Sequence, residues 1–172
     1  GLRDLCDDHG SLLLFDEVMT GFRVAWGGAP TLSRVRPDLT CLGKVIGGGL
    51  PCAAYGGSRK VMEIISPVGS VYQAGTLSGN PVAMAAGIAT LEIMQEDNAY
   101  ELLEQRSERL AHGLTAAAAK EGIPVAFNRV GSMIGLFFVR ENRQTVTNYA
   151  EATAGDTKRF AKFFNAMLDQ GI

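Results

Sequence analysis

Two charged side chains each follow a short apolar segment of this 172-residue chain. Asp16 ends the run "SLLLFD", and Lys44 follows "DLTCLG". Continuous apolar runs of this length are typical of strands that are buried on both faces of a parallel sheet. Ligands of open parallel sheets bind at the carboxyl ends of strands, so both side chains are candidates for ligand contacts. The alternatives are that Asp16 and Glu17 simply cap or solvate a loop, and that Lys44 is an ordinary surface lysine.

The setting of Lys44 favours covalent chemistry with a carbonyl group. Three consecutive glycines, Gly47 to Gly49, follow it closely and would let the backbone pass beside a flat ligand. Small and apolar neighbours partly desolvate an amine, which disfavours the ammonium form and makes the amine a better nucleophile. A phosphate-binding P-loop is not favoured, because Val45 follows Gly43-Lys44 where Ser or Thr is required, and Asp38 stands where the first glycine should be. A dinucleotide-binding G-x-G-x-x-G pattern fails at Cys52.

A third candidate is the polar segment "AGTLSGNP", residues 74–81. Gly75 offers an unobstructed backbone N–H, and Thr76 and Ser78 offer hydroxyls, so the loop could bind a phosphate oxygen. Asn80 before Pro81 also predicts a helix start, with Asn80 as the N-cap residue. The two interpretations are compatible.

Pyridoxal phosphate (PLP) is a ligand that would use all three segments. Its aldehyde needs a lysine as a Schiff base, its pyridine nitrogen needs an acid, and its phosphate needs hydroxyl and N–H donors. Other chemistries find less support. The chain has no G-x-S-x-G nucleophile motif, and His9 and His112 form no metal-ligand pattern.

The composition is that of an ordinary globular protein, with 47% hydrophobic and 20% charged residues. A net charge of −2 gives no reason to expect nucleic acid or an anionic membrane as a partner. No apolar run reaches the roughly 18 residues of a membrane-spanning helix. Three cysteines without C-x-x-C spacing argue against a disulfide framework and are typical of a reducing compartment.

Hydrophobic patterns and turn residues predict the remaining elements. The order changes from strand–loop–helix units to a small β–β–α unit, which indicates a domain border within the long helix near residues 110–120. The chain starts inside a helix pattern and stops after one, so we expect an internal piece of a longer protein that is inactive alone. The predicted helices are 1–9, 59–66, 81–94, 98–122 and 156–171, and the predicted strands are 11–18, 38–43, 52–58, 123–128 and 132–139.

Three blocks of the sequence resemble the class III aminotransferases of PLP fold type I. They are "LLLFDEVMTGFRVA", "CLGKVIGGGLPCAAYGG" and "VYQAGTLSGNPVAMAAG". Within that family the blocks are closer still to the aminomutase branch, whose small domain is similar to "VGSMIGLFF" and "RFAKFFNAMLDQG". The resemblance covers essentially the whole chain. It implies an α/β fold with a mainly parallel sheet, in which residues 1–115 end the large PLP-binding domain and residues 116–172 begin a smaller α+β domain.

The resemblance also implies a role for individual residues. Lys44 matches the Schiff-base lysine that shuttles protons, and Asp16 matches the acid that pairs with the pyridinium nitrogen. Val18 matches the apolar residue that packs on the cofactor ring. Gly75 and Thr76 match the loop that reaches the phosphate of the partner subunit's cofactor in a homodimer. Tyr72, just before that loop, is a further candidate for the same site.

The implied reaction is the conversion of glutamate-1-semialdehyde to 5-aminolevulinate, the tetrapyrrole precursor, through the diamine intermediate 4,5-diaminovalerate. Both the PLP and the pyridoxamine form of the cofactor would take part. The implied location is a bacterial cytoplasm or a plastid stroma, with no nucleic acid, membrane or metal as partner. Two alternatives remain open: another class III aminotransferase for ω-amino acids or diamines, and a non-catalytic relative. The presence of both Lys44 and Asp16 counts against the second.

Overall fold

The computed structural model describes residues 1–140 and 143–172. These residues form two compact units, Gly1–Tyr100 and Glu101–Ile172. The domain border that the sequence places between residues 115 and 116 stays a prediction. The helices are α1 (Leu2–Asp8), α2 (Ala29–Ser33), α3 (Arg59–Met62), α4 (Pro81–Met94), α5 (Ala99–Lys120), α6 (Tyr149–Thr153) and α7 (Thr157–Asp169). The strands are β1 (Leu14–Glu17), β2 (Leu39–Leu42), β3 (Ala54–Gly57), β4 (Val125–Val130) and β5 (Met133–Phe138).

The first unit contains a three-stranded sheet in the order β1-β2-β3. Strands β1 and β2 are parallel, with Asp16 opposite Cys41 and Glu17 opposite Leu42. Strand β3 pairs antiparallel with β2. The alternation of strands and helices confirms the predicted α/β class. The sheet contains one parallel pair, β1–β2, and one antiparallel pair, β2–β3.

Strand β1 is not buried on both faces in the described residues, contrary to the expectation from its apolar run. Leu14 is 50% exposed, whereas Glu17 is 2% exposed. The strand lies at the sheet edge, and successive side chains point to opposite faces. The segment after β1 folds back over the face that carries Glu17, as described below.

Three helices end at a glycine with the same backbone geometry. Gly10, Gly122 and Gly171 have φ values of 63°, 65° and 79°, in the left-handed region that glycine adopts without steric cost. The next residue donates its N–H to a carbonyl five positions back: Ser11 to Cys6, Ile123 to Ala118 and Ile172 to Met167. These bonds are Schellman caps, and they explain why the sequence predicted all three helix ends well.

A shared carboxylate ties α1 to the beginnings of β1 and β2. Asp38 Oδ2 accepts a hydrogen bond from Arg3 Nη1 and another from the Leu13 backbone N–H, both at 2.7 Å. The Leu13 N–H, followed by the Arg3 guanidinium, lowers the pKa of Asp38. The ionised carboxylate therefore stabilises this junction.

The second unit contains the β4–β5 hairpin, which is antiparallel from Val125–Phe138 to Val130–Met133. The sequence placed a turn around residues 129–131, but β4 continues through Val130. Helix α7 packs on β5, with the rings of Phe138 and Phe163 5.5 Å apart. Phe160 and Phe164, on the same predicted apolar face, remain about half exposed.

Two short helices lie where the sequence predicted no regular structure. Helix α2 falls in the glycine-rich segment 21–37. Helix α6 lies in the segment between β5 and α7. Each has only five residues, too few to show a periodic pattern. None of the helices in the described part of the chain has the length and hydropathy needed to cross a bilayer.

Candidate functional site

The carboxyl ends of β1 and β2 bring Asp16, Val18 and Lys44 to one edge of the sheet. The parallel register ends with Glu17 opposite Leu42, so Val18 and Gly43 are the next residues along the two strands. A Cβ placed on Gly43 would lie 3.2 Å from Val18 Cγ1. Val18 therefore packs across the end of β2, directly beside the residue that precedes Lys44.

Lys44 occupies an uncommon backbone conformation. Its φ is 47°, in the left-handed region that non-glycine residues rarely adopt. It begins a 3₁₀ turn, Lys44–Gly47, and its side chain is exposed. Left-handed residues of this kind cost free energy and persist only where the surroundings hold them, often at functional sites.

Glycines allow α4 to pack closely against the turn that carries Lys44. A Cβ on Gly87 of α4 would overlap the Ile46 carbonyl oxygen. A Cβ on Gly48 would lie 2.6 Å from the Ala86 carbonyl oxygen, and the φ of Gly48 is 57°. The backbone of the turn therefore touches the backbone of the helix, and this contact fixes the position of Lys44.

Asp16 presents its carboxylate at the same edge. Its Oδ1 accepts a hydrogen bond of 3.0 Å from the Val18 backbone N–H, which orients the side chain. Residue 16 as a whole is exposed. Within the described ranges its second oxygen has no hydrogen-bond partner, so it can accept one from a bound ligand.

The Gly75–Thr76 loop is not joined to this edge. Within the residues that the structure describes, no hydrogen bond or ion pair links it to Asp16 or Lys44. The loop is exposed, and Tyr72 is 83% exposed. Its last residue, Asn80, caps α4 as predicted: Oδ1 accepts hydrogen bonds from the Val82 and Ala83 N–H groups at 3.0 and 3.2 Å. The loop thus leads directly into the helix that packs on the Lys44 turn.

Glu17 was not predicted as a site residue from the sequence, which offered Asp16 and Glu17 together as loop-capping acids. The structure separates them: Asp16 is exposed and Glu17 is buried. The sequence pattern could have predicted this difference in burial, because adjacent residues of a strand point to opposite faces of the sheet. The glycine contacts of α4 could not be read from the sequence, since they depend on how distant segments pack.

The donor set fits a flat aldehyde cofactor that carries a charged ring nitrogen. A cleft of about 560 Å³ borders Lys44 and the glycines that follow it, Gly48 and Gly49, so there is free space beside this residue. Asp16, Val18 and Lys44 all lie at the carboxyl ends of the two parallel strands and are the residue types that such a ligand requires, although Asp16 and Val18 do not line this cleft. No group of three or more His, Cys, Asp or Glu side chains able to hold a metal ion occurs among residues 1–140 and 143–172.

A family model for class III aminotransferases matches residues 1–172. Among curated relatives, a glutamate-1-semialdehyde 2,1-aminomutase from Natranaerobius thermophilus is 55% identical over 172 residues, which are 100% of this chain and 39% of the relative. An enzyme of the same name from Desulfosudis oleivorans is 58% identical over 171 residues, covering 99% of this chain and 39% of the relative. The chain therefore spans about two fifths of the length of these relatives.

Solved structures of an aminotransferase and an aminomutase superpose well on the chain. A β-phenylalanine aminotransferase from Variovorax paradoxus has a TM-score of 0.75 and 36% identity, over 90% of this chain and 35% of that one. A glutamate-1-semialdehyde aminomutase variant from Pseudomonas aeruginosa, in complex with PMP, has a TM-score of 0.71 and 28% identity, over 90% of this chain and 36% of that one.

Proposed function

The chain belongs to the class III aminotransferase family, and from that premise we propose that it is part of a PLP-dependent glutamate-1-semialdehyde 2,1-aminomutase. The enzyme would convert glutamate-1-semialdehyde to 5-aminolevulinate. The observation that carries the proposal is the identity of 55–58% to curated enzymes of that name, over essentially the whole chain. The shared edge of Asp16, Val18 and Lys44 supports the cofactor assignment independently.

When bound, PLP supplies a conjugated ring that takes up the electron pair released at a substrate carbon. Lys44 Nζ would hold the aldehyde carbon of the cofactor. When Nζ is not bonded to the cofactor, it would move protons between the cofactor and substrate carbons. The left-handed backbone of Lys44, packed against α4, limits where Nζ can reach.

Asp16 would keep a proton on the ring nitrogen through the oxygen that the Val18 N–H does not occupy. The protonated, positively charged ring is a better electron acceptor than the neutral ring, and the Asp16 carboxylate would stabilise that proton. Val18 would cover one face of the ring and exclude water from it. Gly75 and Thr76 would bind the phosphate of the partner subunit's cofactor, which makes a homodimer part of the proposal.

The proposed reaction is an isomerisation. One amino group and one carbonyl oxygen exchange places between adjacent carbons, and the atoms of substrate and product balance. The enzyme therefore needs no external amino donor or acceptor once its cofactor is in the amino form. An ordinary aminotransferase needs a second substrate to complete its cycle, and this difference makes a sharp test possible.

A second candidate is an aminotransferase that acts on ω- or β-amino acids. It is favoured by the superposition on an ω-transaminase from Sphaerobacter thermophilus, with a TM-score of 0.74 and 31% identity. The cofactor contacts would be the same. The higher identity to the curated aminomutases makes this the weaker candidate.

The test supplies glutamate-1-semialdehyde, without any amino donor, to the full-length protein loaded with the amino form of the cofactor. We expect 5-aminolevulinate over many turnovers, and none from a Lys44→Ala variant. Up to one equivalent of the diamine per site and no 5-aminolevulinate, with sustained transfer between an added amine and a keto acid, would favour the second candidate. No transfer under either condition would contradict both.

We also propose a reducing compartment, such as a bacterial cytoplasm, as its location. The three cysteines are all unpaired in the structure, which supports this proposal. A full-length protein that formed disulfides on purification without reductant would count against this location.

A further inference from the structure

Glu17 is a buried acid between two residues of the proposed cofactor site. Its side chain is 2% exposed, although it lies at the end of an edge strand between Asp16 and Val18. Buried carboxylates are costly unless they are well hydrogen-bonded, so a buried acid at this position calls for a specific explanation. The cofactor roles proposed above do not use it.

The carboxylate holds the segment after β1 at both ends. Oε2 accepts a hydrogen bond of 2.6 Å from Thr20 Oγ1, three residues further along the chain. The same oxygen accepts a hydrogen bond of 3.0 Å from the backbone N–H of Ala29, the first residue of α2. The Glu17 backbone carbonyl adds a third bond, from the Gly21 N–H at 2.8 Å. Residues 18–29, here called the β1–α2 loop, therefore close onto one side chain.

Glycines make this close approach possible. Gly28 has a φ of 66°, and a Cβ there would overlap Glu17 Oε2 and lie 2.8 Å from Cδ. A Cβ on Gly21 would lie 2.9 Å from the Glu17 carbonyl oxygen. The loop backbone thus lies against the Glu17 carboxylate at Gly28 and against the Glu17 backbone carbonyl at Gly21, in space that no larger residue could share.

The second carboxylate oxygen points to a role other than stability. Oε1 is buried and has no hydrogen-bond partner within residues 1–140 and 143–172. A buried acid that leaves one oxygen unpaired carries a desolvation cost that an apolar side chain would avoid. Unlike an apolar residue, Glu17 provides one fixed acceptor oxygen for two separate hydrogen-bond donors.

We propose that Glu17 is a positioning residue that holds Asp16 and Val18 in place against the cofactor. The inference rests on the proposed function and adds a residue to it. Val18 begins the anchored loop, donates its N–H to Asp16 Oδ1, and packs at the end of β2 beside Lys44. If the anchor is lost, the loop can lift, and the Asp16 carboxylate loses the bond that orients it.

Variants of Thr20 test the anchor while leaving the acid itself intact. Thr20→Val removes one donor to Oε2 with almost no change in shape, and Thr20→Ser restores that donor. Glu17→Gln keeps an oxygen for both donors but removes the charge, and its NH₂ can take the unpaired position. Glu63→Ala is the matched control, because Glu63 is an exposed acid of the same unit, paired with Arg59.

The readouts are taken on the full-length protein with cofactor. They are the visible absorption band of the lysine-bound cofactor with its pH profile, the cofactor dissociation constant, and kcat and KM separately. For Thr20→Val we expect an altered pH profile and a kcat reduced about tenfold with KM little changed, the scale at which outer hydrogen-bond partners act. Thr20→Ser and Glu63→Ala should match the wild type.

The outcomes separate the two proposals. Wild-type protein that shows no cofactor band, and no bound cofactor, would overturn the proposed function and this inference with it. A second outcome is a normal cofactor band in the wild type, while Thr20→Val and Glu17→Gln have the same pH profile and kcat as the wild type. That result would overturn the positioning role alone. Variants that lose thermal stability but keep the wild-type profile would show a merely structural acid, which also contradicts the inference.

Discussion

Asp16 and Glu17 are neighbours in the chain but have opposite surroundings. Asp16 faces outward with one oxygen oriented by the Val18 N–H, and Glu17 points inward and accepts bonds from the β1–α2 loop. The alternation of side chains along a strand places one acid in the proposed site and the other beneath it. A single register therefore positions both, and a slip of one residue would exchange them.

The charge of Asp16 should matter more than its shape. Asp16→Asn keeps an oxygen that can accept from the Val18 N–H but cannot hold a proton on the ring nitrogen. We expect kcat to fall by about 10²-fold or more, on the scale of a lost electrostatic or proton-transfer contribution, with cofactor still bound. Steady-state kinetics and the absorption of bound cofactor measure the two effects. A variant with nearly wild-type kcat would contradict the assigned role, and Glu63→Gln is the control.

At the scale of elements, the contact between α4 and the Lys44 turn depends on Gly87. Alanine is favoured over glycine within a helix by about 1 kcal/mol, so Gly87→Ala would stabilise an unpacked helix. Here the added Cβ would overlap the Ile46 carbonyl oxygen, and overpacking of this kind costs about 1–3 kcal/mol. We therefore expect a net loss of unfolding free energy and weaker cofactor binding.

Gly113 provides the matched control for that substitution. It lies inside α5, and a Cβ there would meet nothing within 4 Å. Gly113→Ala should raise the free energy of unfolding by about 0.5–1 kcal/mol. Denaturant unfolding of the full-length protein compares the two variants. Equal stabilisation by both would show that α4 does not press on the Lys44 turn.

The junction of α1, β1 and β2 should respond to acid through Asp38. Because its pKa is lowered in the folded state, the ionised form stabilises the fold above the unfolded pKa of about 3.9, and this contribution is lost as pH falls through the lowered value. Asp38→Asn removes the charge at every pH. We expect the wild-type melting temperature to exceed that of the variant at pH 7 and to approach it in acid. Parallel pH profiles would contradict this assignment.

Local signals predicted the elements well, and contacts between distant segments account for what was missed. Asn80 and Pro81 marked the start of α4, and Gly122 marked the end of α5, because each acts within one turn of its own helix. The left-handed Lys44 depends instead on α4, which begins 37 residues later along the chain. The burial of Glu17 likewise depends on the return of the loop at Ala29.

At the scale of the whole molecule, the chain spans 39% of the length of its curated relatives. The proposed site lies in the first compact unit, but the Gly75–Thr76 loop is not joined to Asp16 or Lys44 there. The proposed role of this loop, at the cofactor of a partner subunit, would account for this separation. Each complete site would then combine residues from two subunits.

Two inactive variants should complement each other if the sites are shared. Lys44→Ala removes the lysine of its own site, and Thr76→Asp places a negative charge near the partner's phosphate. A mixed dimer contains one site with both residues intact, so mixing after dissociation should restore up to about a quarter of wild-type activity, because about half of the dimers are mixed and each has one intact site of two. Unmixed variants are the control. No recovery in dimers shown to be mixed would contradict a shared site.

The most direct test of the account is to identify which lysine holds the cofactor. Borohydride reduction of the cofactor-loaded, full-length protein makes the bond between amine and cofactor permanent, and peptide mass spectrometry then locates it. We expect the modification on the peptide that contains Lys44, at close to one per subunit, and none after Lys44→Ala. Modification of another lysine, such as Lys60 in α3, or none at all in a protein that binds the cofactor, would contradict the account.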